Sequence, residues 1–176
     1  MSEPGPSADA PATAAAATVL HPHRFTIALL HPQIAANTGN IARLCVASGT
    51  ALHLVRPMGF VLDDRQLRRS AMDYWPRLRL TVHDDDSAFF AAVHSNRCWF
   101  FSSKATRTLW QANYADGDVL VFGSETAGLP AALLQRHAHR AIRIPQVKGE
   151  RCLNLSTAVG IGLYEAIRTA NMGTPP

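Results

Sequence analysis

Short apolar runs, each stopped by a turn signal and followed by a segment of helical periodicity, recur along this chain. Phe25-Thr26-Ile27-Ala28-Leu29-Leu30 ends at His31-Pro32, and Ala51-Leu52-His53-Leu54-Val55 is closed by Pro57. Cys98 to Phe101 and Val119 to Phe122 are apolar and aromatic throughout, and Leu78 to Val82 and Ala141 to Ile144 add two shorter runs. Runs of this length bounded by breakers suit buried strands. Between them, Asn37 to Ser48 reads as a helix with Ile41, Leu44, Cys45 and Ser48 on one face and Gly49 as its terminator. Asp63 and Asp64 open a short helix through Arg69, Ser87 to His94 is helical, and Leu129-Pro130 opens another helix, with Pro130 in its first turn. Strands alternating with helices predict an α/β domain with a mainly parallel sheet flanked by helices.

The last helix, Leu155 to Ala170, is unusual. Leu155, Ala158, Val159, Ile161, Gly162, Leu163, Ala166, Ile167 and Ala170 leave little polar face before Glu165 and Arg168. A helix apolar nearly all round must be covered on both sides. In a domain of this size the second cover is either another copy of the chain, giving a homodimer, or a second layer of the same domain.

Of the 176 residues, 47% are hydrophobic and 17% charged, which supplies a core and excludes a disordered chain. Residues 1–24 differ: they are rich in Ala, Pro and Ser and are expected to be a disordered or loosely attached tail. Glu3 and Asp9 stand where a signal peptide carries basic residues. The tail holds Arg24 against those two acids, so residues 25–176 are one unit more positive than the whole chain's +4. That excess permits an RNA partner without demanding one. Cys45, Cys98 and Cys152 are an odd number without a CxxC pair, which argues against disulfides and a zinc site and fits a reducing cytoplasm. No apolar run reaches the roughly 18 residues of a membrane helix.

Three segments carry candidate chemistry. Asn37-Thr38-Gly39-Asn40-Ile41-Ala42-Arg43 follows the first strand. Asn37 and Thr38 are candidate caps, and Arg43 inside an apolar helix points to a phosphate or acidic partner, or else to a surface position. Val119 to Pro130 runs an apolar strand into Gly123-Ser124-Glu125-Thr126-Ala127-Gly128, the kind of loop on which ligands of open α/β sheets sit; a tight turn with a capping Glu is the alternative. No Gly-Lys-Ser/Thr follows, so it is not a P-loop. In Ile144 to Ser156 a strand ends at Pro145, a polar loop follows, and Asn154 or Ser156 caps the last helix. Separately, Arg65, Arg68 and Arg69 share a helical face with Arg77 and Arg79 close by, a pattern suited to a phosphate backbone or to a solvated face.

Together these segments resemble the SPOUT superfamily of RNA methyltransferases, in its ribose 2′-O-methylating branch. The resemblance spans nearly all of 25–176. It rests on Asn37-Thr38-Gly39-Asn40 with Arg43, Arg56-Pro57-Met58-Gly59-Phe60, Phe122-Gly123-Ser124-Glu125-Thr126 with Gly128-Leu129-Pro130, and Asn154-Leu155-Ser156 with Tyr164-Glu165-Ala166. Within that branch it is strongest toward tRNA enzymes acting on cytidine or uridine at the wobble position. The alternatives are another tRNA or rRNA ribose, or an RNA-binding protein that kept the fold without catalysis.

The resemblance implies a deep trefoil knot over about 120–170, although knots are otherwise nearly absent from proteins. It implies S-adenosylmethionine bound by loops 101–104, 122–128 and 144–153, with Phe101, Gly123, Glu125, Gly128, Ile144, Cys152 and Leu153 as contacts, no metal, and S-adenosylhomocysteine as product. It implies a homodimer with active sites at the interface, and tRNA held by Arg43, Arg65, Arg68 and Arg69. It implies that Arg43 is the residue nearest the nucleophile. A guanidinium is effectively always protonated, so it serves better as a clamp on phosphate and 2′-oxygen than as a base. The resemblance further implies that Asn37 and Glu125 orient that Arg or the ribose, that Asn154 shapes the loop, and that Tyr164 faces the partner's site. Cys152 departs from the Ser common at this position, which is harmless if the contact there is through backbone.

Overall fold

The computed structural model describes residues 23–62 and 75–171. Most of the N-terminal tail, and the expected helix over Asp63 to Arg69 with Arg65, Arg68 and Arg69, lie outside the described residues.

The strands are β1 (Thr26–Leu30), β2 (Ala51–Val55), β3 (Leu80–His83), β4 (Cys98–Phe101), β5 (Arg107–Thr108), β6 (Val119–Phe122) and β7 (Ala141–Arg143). The helices are α1 (Ala35–Ser48), α2 (Asp86–Ala92), α3 (Ala131–Arg136) and α4 (Leu155–Asn171). The sheet runs in the order β3-β2-β1-β6-β4-β7-β5 with every pairing parallel. The expected parallel α/β architecture is therefore present.

Alternation along the strands divides the core. Ile27, Leu29, Leu52, Leu54, Leu120 and Phe122 face α1 and α4. Ala28, Leu30, Val55, Phe100, Val119 and Val121 point the other way, toward Phe89 of α2 and toward Leu129, Leu133 and Leu134 at α3. Strands buried on both faces must be apolar at every position, and β4 and β6 are.

Several boundaries differ from the sequence reading, each for a local reason. The first helix begins at Ala35, with Ile34 in the cap position and no side-chain cap. Asn37 and Thr38 are thus not caps; both are buried in the first turn. The far end is as expected, with Gly49 at φ 71° closing Cys45 and Val46 carbonyls. Asp85, whose carboxylate accepts the Ala88 amide, starts α2 at Asp86, and the helix stops at Ala92 rather than His94. Pro130 stands just outside α3, in the cap position. The short edge strand β5 gives no periodic signal and was not expected from sequence.

The last helix covers β6 and packs on α1 through Leu155, Val159, Gly162, Leu163, Ala166 and Ile167. Gly162 faces the chain's own interior: a Cβ there would stand 2.8 Å from the Phe101 ring. Its opposite side leaves Ile161 40% and Tyr164 49% exposed, so part of the apolar surface read from sequence is unfilled by the chain itself.

Candidate active site

All strands being parallel, their carboxyl ends share one edge, and the order β1-β6-β4-β7 sets four loops side by side there. These are 31–34, 123–129, 102–104 and 144–154. Ligands of open α/β sheets bind outside such ends, and an open cavity of about 460 Å³ lies there. Phe101, Gly123, Glu125, Gly128, Ile144, Cys152 and Leu153, the residues expected to touch cofactor, all line it, as do Asn37 and Asn154. Arg43 and Tyr164 do not.

The 123–129 loop is folded tightly on itself. Gly128 N–H donates to the Ser124 carbonyl at 2.9 Å, and Gly128 takes φ 68°. A Cβ on Gly123 would stand 2.1 Å from the Gly128 carbonyl carbon, so the close approach requires glycine. That turn aims Glu125 back at the start of α1.

There the carboxylate gathers the two backbone amides that lead into α1. Glu125 Oε2 accepts the Gln33 amide at 2.8 Å, and Oε1 accepts the Ile34 amide at 3.3 Å. Oε1 also accepts Asn37 Nδ2 at 2.9 Å. Asn37, 6% exposed, in turn accepts Asn154 Nδ2 on its Oδ1 at 2.9 Å. Asn154 Oδ1 accepts the Ser156 amide and hydroxyl at 2.8 and 2.7 Å, so Asn154 rather than Ser156 caps α4. One hydrogen-bonded chain therefore ties the starts of α1 and α4 to the 123–128 loop. An anionic acceptor at a helix start is favoured by the free amides and the helix dipole. The Gln33 and Ile34 amides were invisible to sequence reasoning, because their partner is 92 and 91 positions away.

Arg43 is exposed on α1, two positions from Ile41 and two from Cys45, on the side away from the buried stripe. Of the two readings of Arg43, a partner for a guanidinium on an apolar helix or a surface position, the structure shows the surface position. Six residues separate it from Asn37, about 9 Å along the helix axis. The Cys152 thiol lies 3.5 Å from Ser103 Oγ, both on the cavity wall.

The lining suits a nucleoside-bearing cofactor. Its volume falls in the range of small-ligand sites, roughly 300–1,000 Å³. Phe101 and Phe122 stack with centroids 4.4 Å apart, and with Ile144 and Leu153 they give an apolar wall for a ring system. Ser102, Ser103, Thr126 and Gln146 offer hydroxyl and amide groups, and Lys104 a cation for a carboxylate. Among the described residues no His, Cys, Asp and Glu group is arranged to hold a metal.

A parallel sheet with such a cavity at its carboxyl edge, and with the 123–128 loop and the starts of α1 and α4 joined by a Glu125–Asn37–Asn154 chain, defines a cofactor-binding α/β enzyme. The SpoU rRNA Methylase family matches residues 24–164, and the chain belongs to that family. A tRNA (cytidine(34)-2′-O)-methyltransferase of Escherichia coli K12 is 46% identical over 145 residues, which cover 82% of this chain and 92% of that protein. A solved structure described as giving insights into 2-OH methylation of C/U34 on tRNA superposes with TM-score 0.80 at 40% identity, covering 84% of this chain and 96% of the other. An AdoMet-bound rRNA methyltransferase from Sinorhizobium meliloti superposes with TM-score 0.74 at 26% identity, covering 82% and 56%.

Proposed function

We propose that this chain transfers a methyl group from S-adenosylmethionine to the ribose 2′-oxygen of cytidine or uridine at the wobble position of tRNA, releasing S-adenosylhomocysteine. The observation that carries the reading is the hydrogen-bonded chain Glu125–Asn37–Asn154 at the wall of a cavity fit for that cofactor. The relatives' activity supports the same substrate.

When bound, the cofactor supplies an activated methyl group on a sulfonium. The chain's task is then alignment in a site sheltered from water. Loops 101–104, 122–128 and 144–153 hold the cofactor. Glu125 fixes Asn37, and Asn37 with Asn154 sets the wall against which the ribose lies. Arg43 clamps a phosphate and the 2′-oxygen, and the 2′-proton leaves to phosphate or water. A permanently charged guanidinium stabilises the developing oxyanion without having to accept that proton. Arg65, Arg68 and Arg69 hold the tRNA backbone by charge.

The reading includes a homodimer, supported by the outward Ile161 and Tyr164 of α4, with Tyr164 facing the partner copy's site. It also includes the knot over about 120–170. In support, the chain after β7 returns past the 123–128 loop to lay α4 on β6, in the middle of the sheet. Residues 1–24 act as a tail to the 25–176 domain, and the enzyme works in the cytoplasm with its tRNA.

Mass spectrometry of tRNA from a strain lacking the gene tests the reading. The ribose methyl at nucleotide 34 should disappear and return with the wild-type gene, but not with Arg43→Ala. A mark that persists in the deletion strain refutes it, and loss at another tRNA or rRNA ribose would move the enzyme to that site.

A further inference from the structure

Among the described residues, His31 is the only non-glycine residue in the left-handed region, at φ 54°. That conformation is unfavourable for a residue with a Cβ and persists where the surroundings impose it. Three contacts do so here. The His31 amide donates to the Val55 carbonyl at 3.0 Å. Its carbonyl accepts Gln33 Nε2 at 2.7 Å. Its imidazole Nε2 lies 3.0 Å from Asp86 Oδ1, at the start of α2.

The neighbouring acids have other partners. Asp84 pairs with Arg56 at 2.8 Å, and Asp85 accepts the Ala88 amide at 2.7 Å. Asp86 is the carboxylate left for His31: the oxygen it presents is shielded from water and receives no aligned hydrogen bond, so its pairing with the imidazole at 3.0 Å is an electrostatic contact. The bend at His31 turns the chain off β1 into residues 32–34. Behind them, Gly59 N–H donates to the Pro32 carbonyl at 3.0 Å, and a Cβ on Gly59 would stand 2.6 Å from the Gln33 carbonyl oxygen. In front, the Gln33 and Ile34 amides meet Glu125.

We infer that His31 and Asp86 form a positioning pair. Their contact fixes the bend that delivers the Gln33 and Ile34 amides to Glu125. Through Glu125 it sets Asn37 and Asn154 for the transfer; this last step rests on the function proposed above. Neither His31 nor Asp86 lines the cavity, so the pair acts through Glu125 and not on substrate.

Asp86→Ala tests the pair without altering the sequence of the bend, and Asp85 still caps α2. Hydrogen exchange followed by NMR should show the Gln33 and Ile34 amides exchanging about tenfold faster, with the β1 amides unchanged. At saturating tRNA and cofactor, kcat should fall about tenfold while cofactor Kd stays within twofold. His31→Gly, which keeps the backbone freedom and removes only the imidazole, should lose the same activity. The double variant should lose no more than either single one, as expected of groups acting as a unit. Gln33 and Ile34 exchange at the wild-type rate in Asp86→Ala overturns the pair whether or not the enzyme is active. So do losses that multiply in the double variant, or a loss confined to KM. A wild-type chain that methylates no tRNA, with the exchange result as expected, instead overturns the functional reading and leaves the structural pair standing.

Discussion

Gly162→Ala is the sharpest test of how the cavity is built. The new Cβ would stand 2.8 Å from Cε1 and Cζ of Phe101 and 3.3 Å from Cζ of Phe122. Ordinary contact needs about 0.6 Å or more of extra separation from the Phe101 ring. Phe101 cannot simply give way, because its ring is stacked on Phe122 at 4.4 Å and 17°. Overpacking of this kind costs about 1–3 kcal/mol. Replacing a mid-helix glycine by alanine returns up to about 1 kcal/mol of helix propensity. The net is a destabilisation of about 1 kcal/mol, or roughly 2–4 °C in Tm for a domain of this size. Both rings also line the cavity. Their displacement should weaken S-adenosylhomocysteine binding by roughly tenfold, equivalent to about 1.4 kcal/mol. Thermal unfolding and titration calorimetry read the two effects separately. A variant more stable than wild type with unchanged affinity would refute the packing of α4 against Phe101.

S-adenosylmethionine or S-adenosylhomocysteine at a hundredfold excess over Kd should add about 2.7 kcal/mol of stability, seen as a raised Tm, while ATP and NAD should add none. Arg43→Ala should abolish methyl transfer and leave cofactor affinity unchanged, since Arg43 does not line the cavity; calorimetry beside a transfer assay checks both. Ile161→Asp, on the outward side of α4, should convert a dimer to a monomer in sedimentation, and a wild-type monomer at micromolar concentration would remove the dimer. His53, 3.1 Å from His83, has its pKa pushed down to about 4, first by burial and then by that neighbouring imidazole. The unfolded chain therefore takes up this proton first as pH falls. The associated stability is complete above about 6.5 and is lost between there and about 4; after allowance for its partial exposure it amounts to about 1–2 kcal/mol. Urea midpoints at pH 7 and 4.5 should show that loss, and His53→Leu should reduce it.

What the sequence disclosed, it disclosed through local pattern. Cys98 to Phe101 and Val119 to Phe122 read as strands because burial on both faces demands an unbroken apolar run. Gly123 and Gly128 marked a tight loop because only glycine fits its close approach and positive φ. Interactions between distant segments were not readable in this way. Asn37 resembled a cap because it is an Asn near a helix start, yet its side chain donates instead to Glu125, 88 positions away. Asn154 reaches Asn37 across 117 positions. Arg43 looked anomalous among Ile41, Leu44 and Cys45, but a helical turn carries it to the opposite side. The two-residue β5 is too short to show a period at all. The resemblance grouped Asn37, Glu125 and Asn154; what each does for the others came from the fold.

The central activity is tested most directly by incubating the purified chain with S-adenosylmethionine and a tRNA bearing cytidine or uridine at position 34, then weighing the nucleosides at that position. The expected product is one added methyl on the ribose of nucleotide 34, absent when that nucleotide carries a 2′-deoxyribose. No added mass, or a methyl that maps to the base or survives the 2′-deoxy substitution, would contradict it.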